Sequence, residues 1–352
     1  MKHNRLARLG IATALLLAGM FVAHAQPADP VLPASIARDQ AQAQDQTPSL
    51  DQANTALQAG EADKALNLLA SMPLSGPSQA QTLNILCRVR FSLEQFDAAA
   101  TACEKSVSLD PQNSDYHLWL GRALGERAAN SSFLTAFSLA KRTRAEFEQA
   151  VQLNPRNAEA LTSLGEFYRQ APPVVGGGVD KAQNIAIQLD KVDPSRSHIL
   201  RGNIAEQQKD YATAEQQFHQ AIATAAHPAQ AWTILAGFYG HRQRFPDMET
   251  AMHTALNTAL HDHHAGVALY DGAGLLTESK RDPQLAATML DDYLNGTSKT
   301  EEAPAFIAHI RLARLKQQLG DQPAADRERA AALALAHDYK PAQDFRAQAA
   351  TP

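Results

Sequence analysis

The chain has 352 residues, of which 45% are hydrophobic, 20% are charged and only 6% are aromatic. Its 32 basic and 37 acidic residues give a formal net charge of −5, which argues against a nucleic-acid binder held by phosphate contacts. The apolar content excludes a disordered chain, and the scarcity of aromatic residues favours helices over β-sandwiches.

The N-terminus has the pattern of an export signal. A basic start is followed by an apolar run over residues 11–22 and by Ala23-His24-Ala25, which supplies the small residues that a signal peptidase requires. The basic residues are Lys2, Arg5 and Arg8. The apolar run is shorter than the roughly 20 residues needed to span a bilayer. We therefore expect cleavage after Ala25, a periplasmic or secreted protein and no stable membrane anchor, with an uncleaved anchor as the alternative.

Three further segments are predicted after this signal peptide of residues 1–25. Residues 26–48 are mainly Gln, Ala, Asp and Pro, a composition that buries too little apolar surface to fold, and are predicted to be a flexible leader. Residues 49–342 are predicted to form the folded part, and residues 343–352 a disordered tail.

The folded part repeats with a period near 34 residues. Leu-Asp-Pro at 109–111 returns as Leu-Asn-Pro at 153–155 and as Val-Asp-Pro at 192–194, and each proline is predicted to end the second helix of a unit. This recurrence argues against an Ala-rich helical bundle without repeats. The units begin near residues 46, 80, 114, 158, 195, 229, 267 and 306.

The spacing of small and large residues in these units resembles the tetratricopeptide repeat (TPR). In the unit at 80, positions 4, 7, 8, 20, 24 and 32 are Leu83, Leu86, Cys87, Ala99, Cys103 and Pro111. The full W-x2-L-G-x2-Y form is met nowhere. The resemblance implies an all-α, TPR-type α-solenoid of about eight antiparallel helix hairpins, which must stack because one hairpin cannot bury its apolar face alone.

Two units carry insertions, near residues 130–140 and 171–178. The first is predicted to lengthen a hairpin. The second contains three glycines that precede a helix, but it lacks the G-x4-G-K-[ST] spacing of a phosphate loop, so we interpret it as a tight turn. Its P-x3-GG-x3-KA pattern, which starts at Pro172, resembles an exported bacterial TPR subgroup without assigned activity.

No motif in the sequence predicts catalysis, and we expect neither an enzyme nor a cofactor. The run His261-Asp262-His263-His264 falls in a predicted loop between units. It is an alternative site for a soft divalent metal, but without H-E-x-x-H spacing a catalytic zinc is not expected, and no metal is predicted. Glu301-Glu302 and Asp291-Asp292 are interpreted as solvated charges at helix ends or in loops.

The two cysteines give the sharpest local prediction. Cys87 and Cys103 occupy positions 8 and 24 of one hairpin, where two antiparallel helices face each other. Because an exported compartment is oxidising and the count is even, we predict a disulfide between them. Two small buried hydrophobic side chains are the alternative.

The TPR resemblance implies a concave binding surface lined by the first helices, at positions 2, 5, 9 and 12 of each unit. Carried over by position, the candidate peptide-binding residues are Asn84, Arg88, Phe91, Arg122, Glu166, Arg169 and Asn203. Arg88 and Arg122 hold position 9 of consecutive units, and arginine binds carboxylates with a planar fork. The expected ligand is a protein or peptide with an acidic or carboxylate group. A solvated charged face, or pairing of the arginines with Glu166, is the alternative.

The sequence thus predicts a non-catalytic protein- or peptide-binding scaffold or assembly adaptor of the bacterial periplasm. The alternative function is an envelope component that binds saccharide or small ligands and supports cell-wall maintenance or transport. The partner is not expected to be nucleic acid.

Overall fold

A computed structural model describes residues 49–73 and 75–345. The predicted signal peptide, the leader up to residue 48 and the tail from residue 346 lie outside the described residues. Within the described ranges, no helix is long and apolar enough to cross a membrane.

The described residues form α-helices, one 3-10 turn and no β-strand. The helices are α1 (Leu50–Gln58), α2 (Ala62–Ala70), α3 (Gln79–Ser92), α4 (Phe96–Leu109), α5 (Ser114–Ala129), α6 (Phe133–Leu153), α7 (Ala158–Gln170), α8 (Val179–Leu189), α9 (Pro194–Gln207), α10 (Tyr211–Thr224), α11 (Ala229–His241), α12 (Phe245–Ala259), α13 (Gly266–Glu278), α14 (Pro283–Asn295), α15 (Ala305–Gln318), α16 (Gln322–Leu335) and α17 (Lys340–Gln343). From α1 to α16 they pair in chain order into eight hairpins, which confirms the predicted all-α solenoid.

One pair of positions explains why each hairpin closes tightly. Position 8 of a first helix faces position 24 of the second. At that contact, a Cβ added to Gly121 would lie 2.5 Å from the Phe147 ring, and a Cβ added to Gly202 would lie 2.6 Å from the Phe218 ring. Both rings are almost fully buried. A small residue is therefore required wherever the opposite helix presents a phenylalanine.

Side-chain caps set many of the helix starts. The side chains of Asn113 and Asn157 accept backbone N–H groups at the starts of α5 and α7, which satisfies donors that have no partner within the helix. The side chain of Asp193 does the same for α9, where Pro194 is the first helical residue. The prediction that Pro194 ends a second helix is therefore wrong, because α8 already ends at Leu189.

Both insertions are ordered extensions of their hairpins. The first gives α6 a length of 21 residues, as predicted, and leaves Phe133 and Leu134 at its N-terminus 83% and 80% exposed. In the second, Gly176 has a φ of +96°, and its carbonyl oxygen accepts from the Lys181 ammonium at 2.9 Å. The geometry fits the tight-turn interpretation, since a positive φ favours glycine.

The solenoid closes on itself. Phe306, Ile310 and Tyr339 of the last unit share one buried cluster with Leu57 and Leu69 of the first. The turn of the first hairpin also meets the start of α15 closely, since a Cβ on Gly60 would lie 2.4 Å from the Ala305 backbone nitrogen.

Polar contacts reinforce this seam. The Asp63 carboxylate accepts from the backbone N–H of His337 at 2.9 Å and lies 2.7 Å from its Nδ1. The Tyr339 hydroxyl donates to Glu94 at 3.1 Å. The last unit therefore packs on the first unit of the same chain, and its end is covered from within the molecule.

Candidate binding surface on the inner face

Cys87 and Cys103 form a disulfide across the second hairpin, with Cα atoms 5.3 Å apart. The pair occupies the same two positions, 8 and 24, at which Gly202 faces Phe218 in the fifth hairpin. Both cysteines are fully buried. The structure thus contains the predicted Cys pair, which fixes α3, the helix that carries Arg88, against α4.

The inner face is the surface that the first helices of the hairpins present to the middle of the closed solenoid. Arg88 of α3 donates through its Nε to Glu301 Oε2 at 2.8 Å, and its Nη2 donates to Glu301 Oε1. Gln58 adds a donor to the same carboxylate at 2.9 Å. Burial lowers the pKa of Arg88, but the carboxylates of Glu301, Glu159 and Asp115 together more than offset it, so the net shift is upward. Arg88 thus binds a carboxylate in bidentate fashion, and that carboxylate belongs to its own chain.

Arg122 of α5 is a second arginine on the inner face. We call Arg88 and Arg122 together the arginine track. The guanidinium carbons of Arg88 and Arg122 lie 5.5 Å and 4.6 Å from the centroid of the same Trp119 ring, a cation–π arrangement. Arg122 also donates to Glu159 at 3.3 Å. Trp119 was not among the predicted residues, although it lies three residues before Arg122 on the same helix.

The loop of residues 296–304, between α14 and α15, places a second carboxylate on the inner face. Burial raises the pKa of Glu302 to about 8, and Arg122 and Arg196 only partly offset this. Burial lowers the pKa of the Arg196 guanidinium, with Asp193, Glu159 and Glu302 opposing the shift. The interpretation of Glu301 and Glu302 as solvated charges is therefore wrong, because the loop folds inward, pairs Glu301 with Arg88 and buries Oε2 of Glu302.

Three other predicted residues form a separate polar cluster. The Glu166 carboxylate accepts from Arg169 Nε at 2.8 Å and from Asn203 Nδ2 at 2.7 Å. Arg169 also donates to Gln207 at 3.3 Å. The structure pairs Glu166 with Arg169 and Asn203, whereas the arginine track pairs with Glu301 and Glu159, so the alternative of Arg88 or Arg122 pairing with Glu166 is wrong.

The remaining two predicted residues are packing residues. Asn84 is only 4% exposed. The Phe91 ring packs edge-on against the rings of Phe96 and Trp119, with centroids 5.6 Å apart in both pairs. Phe91 therefore supports the Trp119 ring, which both arginines of the arginine track approach.

Further inner-face residues escaped the sequence prediction. Asp271 of α13 is half-buried. Desolvation raises the pKa of its carboxyl to about 7, and the carboxylate accepts from Gln230 at 2.9 Å. Asp271 holds position 5 of its unit, and Arg196 and Glu159 hold position 2 of theirs. The repeat register could have found all three, because these are positions that face inward in a TPR hairpin.

The histidine-rich segment also differs from expectation. His227, in the loop before α11, lies beside Asp262 and His264, and one potential ligand atom from each lies within 4.8 Å of the other two. His261 instead hydrogen-bonds through Nδ1 with the Asn257 carbonyl oxygen at 3.0 Å. His227 was missed by the sequence analysis, although it precedes Asp262 by 35 residues, about one repeat length.

The comparisons agree with this architecture. Residues 80–113, which contain most of α3 and all of α4, match the tetratricopeptide repeat family model. Together with the eight hairpins, this match supports a tetratricopeptide-repeat protein. No curated protein matches the chain.

Several solved structures are similar to the chain. A thermophilic TPR protein of Thermus thermophilus is 21% identical, covers 56% of this chain and 99% of its own, and superposes with a TM-score of 0.42. A tetratricopeptide repeat protein from Parabacteroides merdae ATCC 43184 is 13% identical over 76% of this chain and 96% of its own, with a TM-score of 0.41. MamA is 16% identical over 48% of this chain and 91% of its own, with a TM-score of 0.33.

Proposed function

We propose that this protein is a non-catalytic scaffold or assembly adaptor of the bacterial periplasm that binds an acidic protein segment on its inner face. Helical-repeat solenoids use their concave surfaces for binding, and TPR proteins commonly bind proteins or peptides. The observation that carries the proposal is the bidentate contact between Arg88 and Glu301.

The loop of residues 296–304 serves in this proposal as an intramolecular ligand. It presents adjacent carboxylates, one of which pairs with Arg88 while the other lies in electrostatic reach of Arg122 and Arg196. An external partner with the same chemistry has to displace the loop. The displacement is feasible because the Glu302 side chain is poorly stabilised in its position. Its buried Oε2 has no hydrogen-bond partner, and desolvation disfavours the charged form of the carboxyl.

The periplasmic location rests on two features of the sequence. The first 25 residues have the layout of a cleaved signal peptide, and disulfides persist in oxidising compartments. Mass spectrometry of the protein from its native host should give a mature N-terminus at Gln26, in the periplasmic fraction. An unprocessed chain in the cytosol would contradict this part of the proposal.

A labelled peptide with the loop sequence, Gly-Thr-Ser-Lys-Thr-Glu-Glu-Ala-Pro, tests the binding mode by fluorescence anisotropy. We expect it to bind the full-length Glu301→Gln variant at least tenfold more tightly than the wild type, because the substitution frees Arg88. The double variant Glu301→Gln/Arg88→Met should lose binding, and a peptide with Gln in place of both Glu residues should not bind. Equal binding of the two peptides, or no binding to the single variant, would refute the acidic-segment mode.

Capture from envelope extract tests the scaffold role without requiring the loop to be freed. Wild-type bait and Arg142→Met bait should retain the same specific proteins, whereas Arg88→Met bait should lose them. Arg142 is a suitable control because it lies on α6, a second helix, and pairs with Glu104 rather than with the loop. Circular dichroism checks that every bait is folded. Binding of glycans without any protein partner would overturn the proposal in favour of saccharide binding.

A further inference from the structure

The loops that precede α11 and α13 bring two histidines and a carboxylate together. His227 Nδ1 lies 2.9 Å and 3.0 Å from the two oxygens of Asp262. His264 Nδ1 lies 3.4 Å from Asp262 Oδ1. The two imidazole rings lie side by side with centroids 4.1 Å apart. Both Nδ1 atoms therefore converge on one carboxylate, although the residues come from separate loops one repeat apart.

The cluster is positioned by backbone as well as by side chains. Asp262 Oδ1 accepts the backbone N–H of His264 at 2.8 Å, which fixes the carboxylate relative to the loop. The Asp262 side chain is 14% exposed, whereas those of His227 and His264 are 29% and 47% exposed. The two histidines also line a cavity of about 90 Å³ between the fifth, sixth and seventh hairpins. The group is thus anchored at its carboxylate and accessible at its imidazoles, so an ion has a path to it.

We propose that His227, Asp262 and His264 form a binding site for a divalent transition metal of the Zn²⁺ type. Zinc binds imidazole nitrogen and carboxylate oxygen at about 2.0–2.2 Å. Ligand atoms around such an ion lie about 3.3 Å apart, so ligand atoms that lie within 4.8 Å of one another need only small side-chain rotations to reach it. Two imidazoles favour Zn²⁺, Ni²⁺, Co²⁺ or Cu²⁺ over Mg²⁺ and Ca²⁺, which prefer oxygen ligands.

A metal here would join two successive inter-repeat loops and so hold the fifth, sixth and seventh hairpins in a fixed relation. The three protein ligands leave at least one coordination position for water or another ligand. The site is independent of the proposed acidic-segment binding, because none of its ligands belongs to the arginine track or to the loop of residues 296–304.

The test is metal titration of the full mature protein after treatment with a chelator and dialysis. Isothermal titration with Zn²⁺ should show one ion per chain, and Co²⁺ should give the intense visible absorption of a tetrahedral site. His227→Ala and His264→Ala should each weaken binding by more than the roughly 10–100-fold that the loss of an outer-shell partner costs. His263→Ala is the matched control, since it is exposed in the same loop and contributes no ligand, and should bind like the wild type.

Thermal unfolding gives a second readout. Saturating Zn²⁺ should raise the midpoint of the wild type and of His263→Ala, because a ligand that binds only the folded state stabilises it, and should leave His227→Ala unchanged. The proposal fails if the wild type binds no Zn²⁺ or Co²⁺ at one equivalent. It also fails if folded His227→Ala binds either ion as tightly as the wild type.

Discussion

The adjacent residues Glu301 and Glu302 should respond in opposite directions to the same substitution. Glu301 is paired with Arg88 and Gln58. Glu302 is half-buried, and its buried Oε2 has no hydrogen-bond partner. We expect Glu302→Gln to stabilise the protein at neutral and alkaline pH, and Glu301→Gln to destabilise it.

The size of the Glu302 effect follows from its pKa, which burial raises from 4.5 to about 8. A carboxyl with a raised pKa in the folded state binds its proton more tightly there than in the unfolded chain. Its contribution to stability is fully present below pH 4.5 and is lost as the pH rises toward 8. The advantage of Glu302→Gln should therefore grow between pH 5 and 8 with a slope approaching about 1.4 kcal/mol per pH unit, and level off above pH 8.

Glu301→Gln should lower the free energy of unfolding by about 3–5 kcal/mol, because it leaves the Arg88 guanidinium buried without its charged partner. Urea unfolding at pH 5, 6, 7 and 8 measures the free energy of unfolding of both variants against the wild type. Asp271, with a pKa raised by burial to about 7, titrates in all three proteins, and its contribution cancels in the difference. A pH-independent difference for Glu302→Gln, or a loss of stability at pH 8, would refute the reasoning.

Three further predictions concern the packing and stability of the solenoid. Replacing both Cys87 and Cys103 by Ser should lower the free energy of unfolding by about 3 kcal/mol, because the disulfide closes a loop with a sequence separation of 16. If reductant did not shift the urea midpoint of the wild type, this prediction would be contradicted. Gly121→Ala should cost about 1–3 kcal/mol, because the new Cβ meets a buried aromatic ring. Gly125→Ala lies on the same helix, where an added Cβ has its nearest neighbour 3.6 Å away, and it should raise the free energy of unfolding by up to about 1 kcal/mol. Equal thermal midpoints for the Gly121→Ala and Gly125→Ala variants would count against the packing argument. Phe306→Ala should cost about 3–5 kcal/mol and speed hydrogen exchange in the first hairpin; unchanged exchange there would argue against the closed seam.

The sequence predicted well the features that lie within a single hairpin. The period near 34 residues fixes which positions face each other inside a hairpin, and the Cys87–Cys103 pair follows from that register. The lengthened third hairpin follows from the helical pattern that continues to Phe147. These features are local, because each repeat in a solenoid contacts mainly the repeats next to it.

The pairing of the arginine track with the loop of residues 296–304, which sequence reasoning missed, depends on contacts between distant repeats. Arg88 and Glu301 are 213 residues apart, and whether they meet depends on small rotations summed over six hairpins. When the rotations between hairpins are unknown, two adjacent glutamates before a predicted helix are most simply interpreted as solvated. His227 is a different case, because its neighbours Asp262 and His264 belong to the next inter-repeat loop, and the 35 residues between His227 and Asp262 are about one repeat length.

Closure gives the first and last units outer faces that differ from those of an open solenoid. Terminal repeats normally carry a polar outer face. Here the units at 46 and 306 pack on each other, so the faces that meet are apolar. A linear solenoid loses its terminal repeats first, whereas in this chain the ends share a core. In the proposed binding mode the inner face therefore opens at the loop of residues 296–304, because separating the terminal hairpins would expose the seam around Phe306.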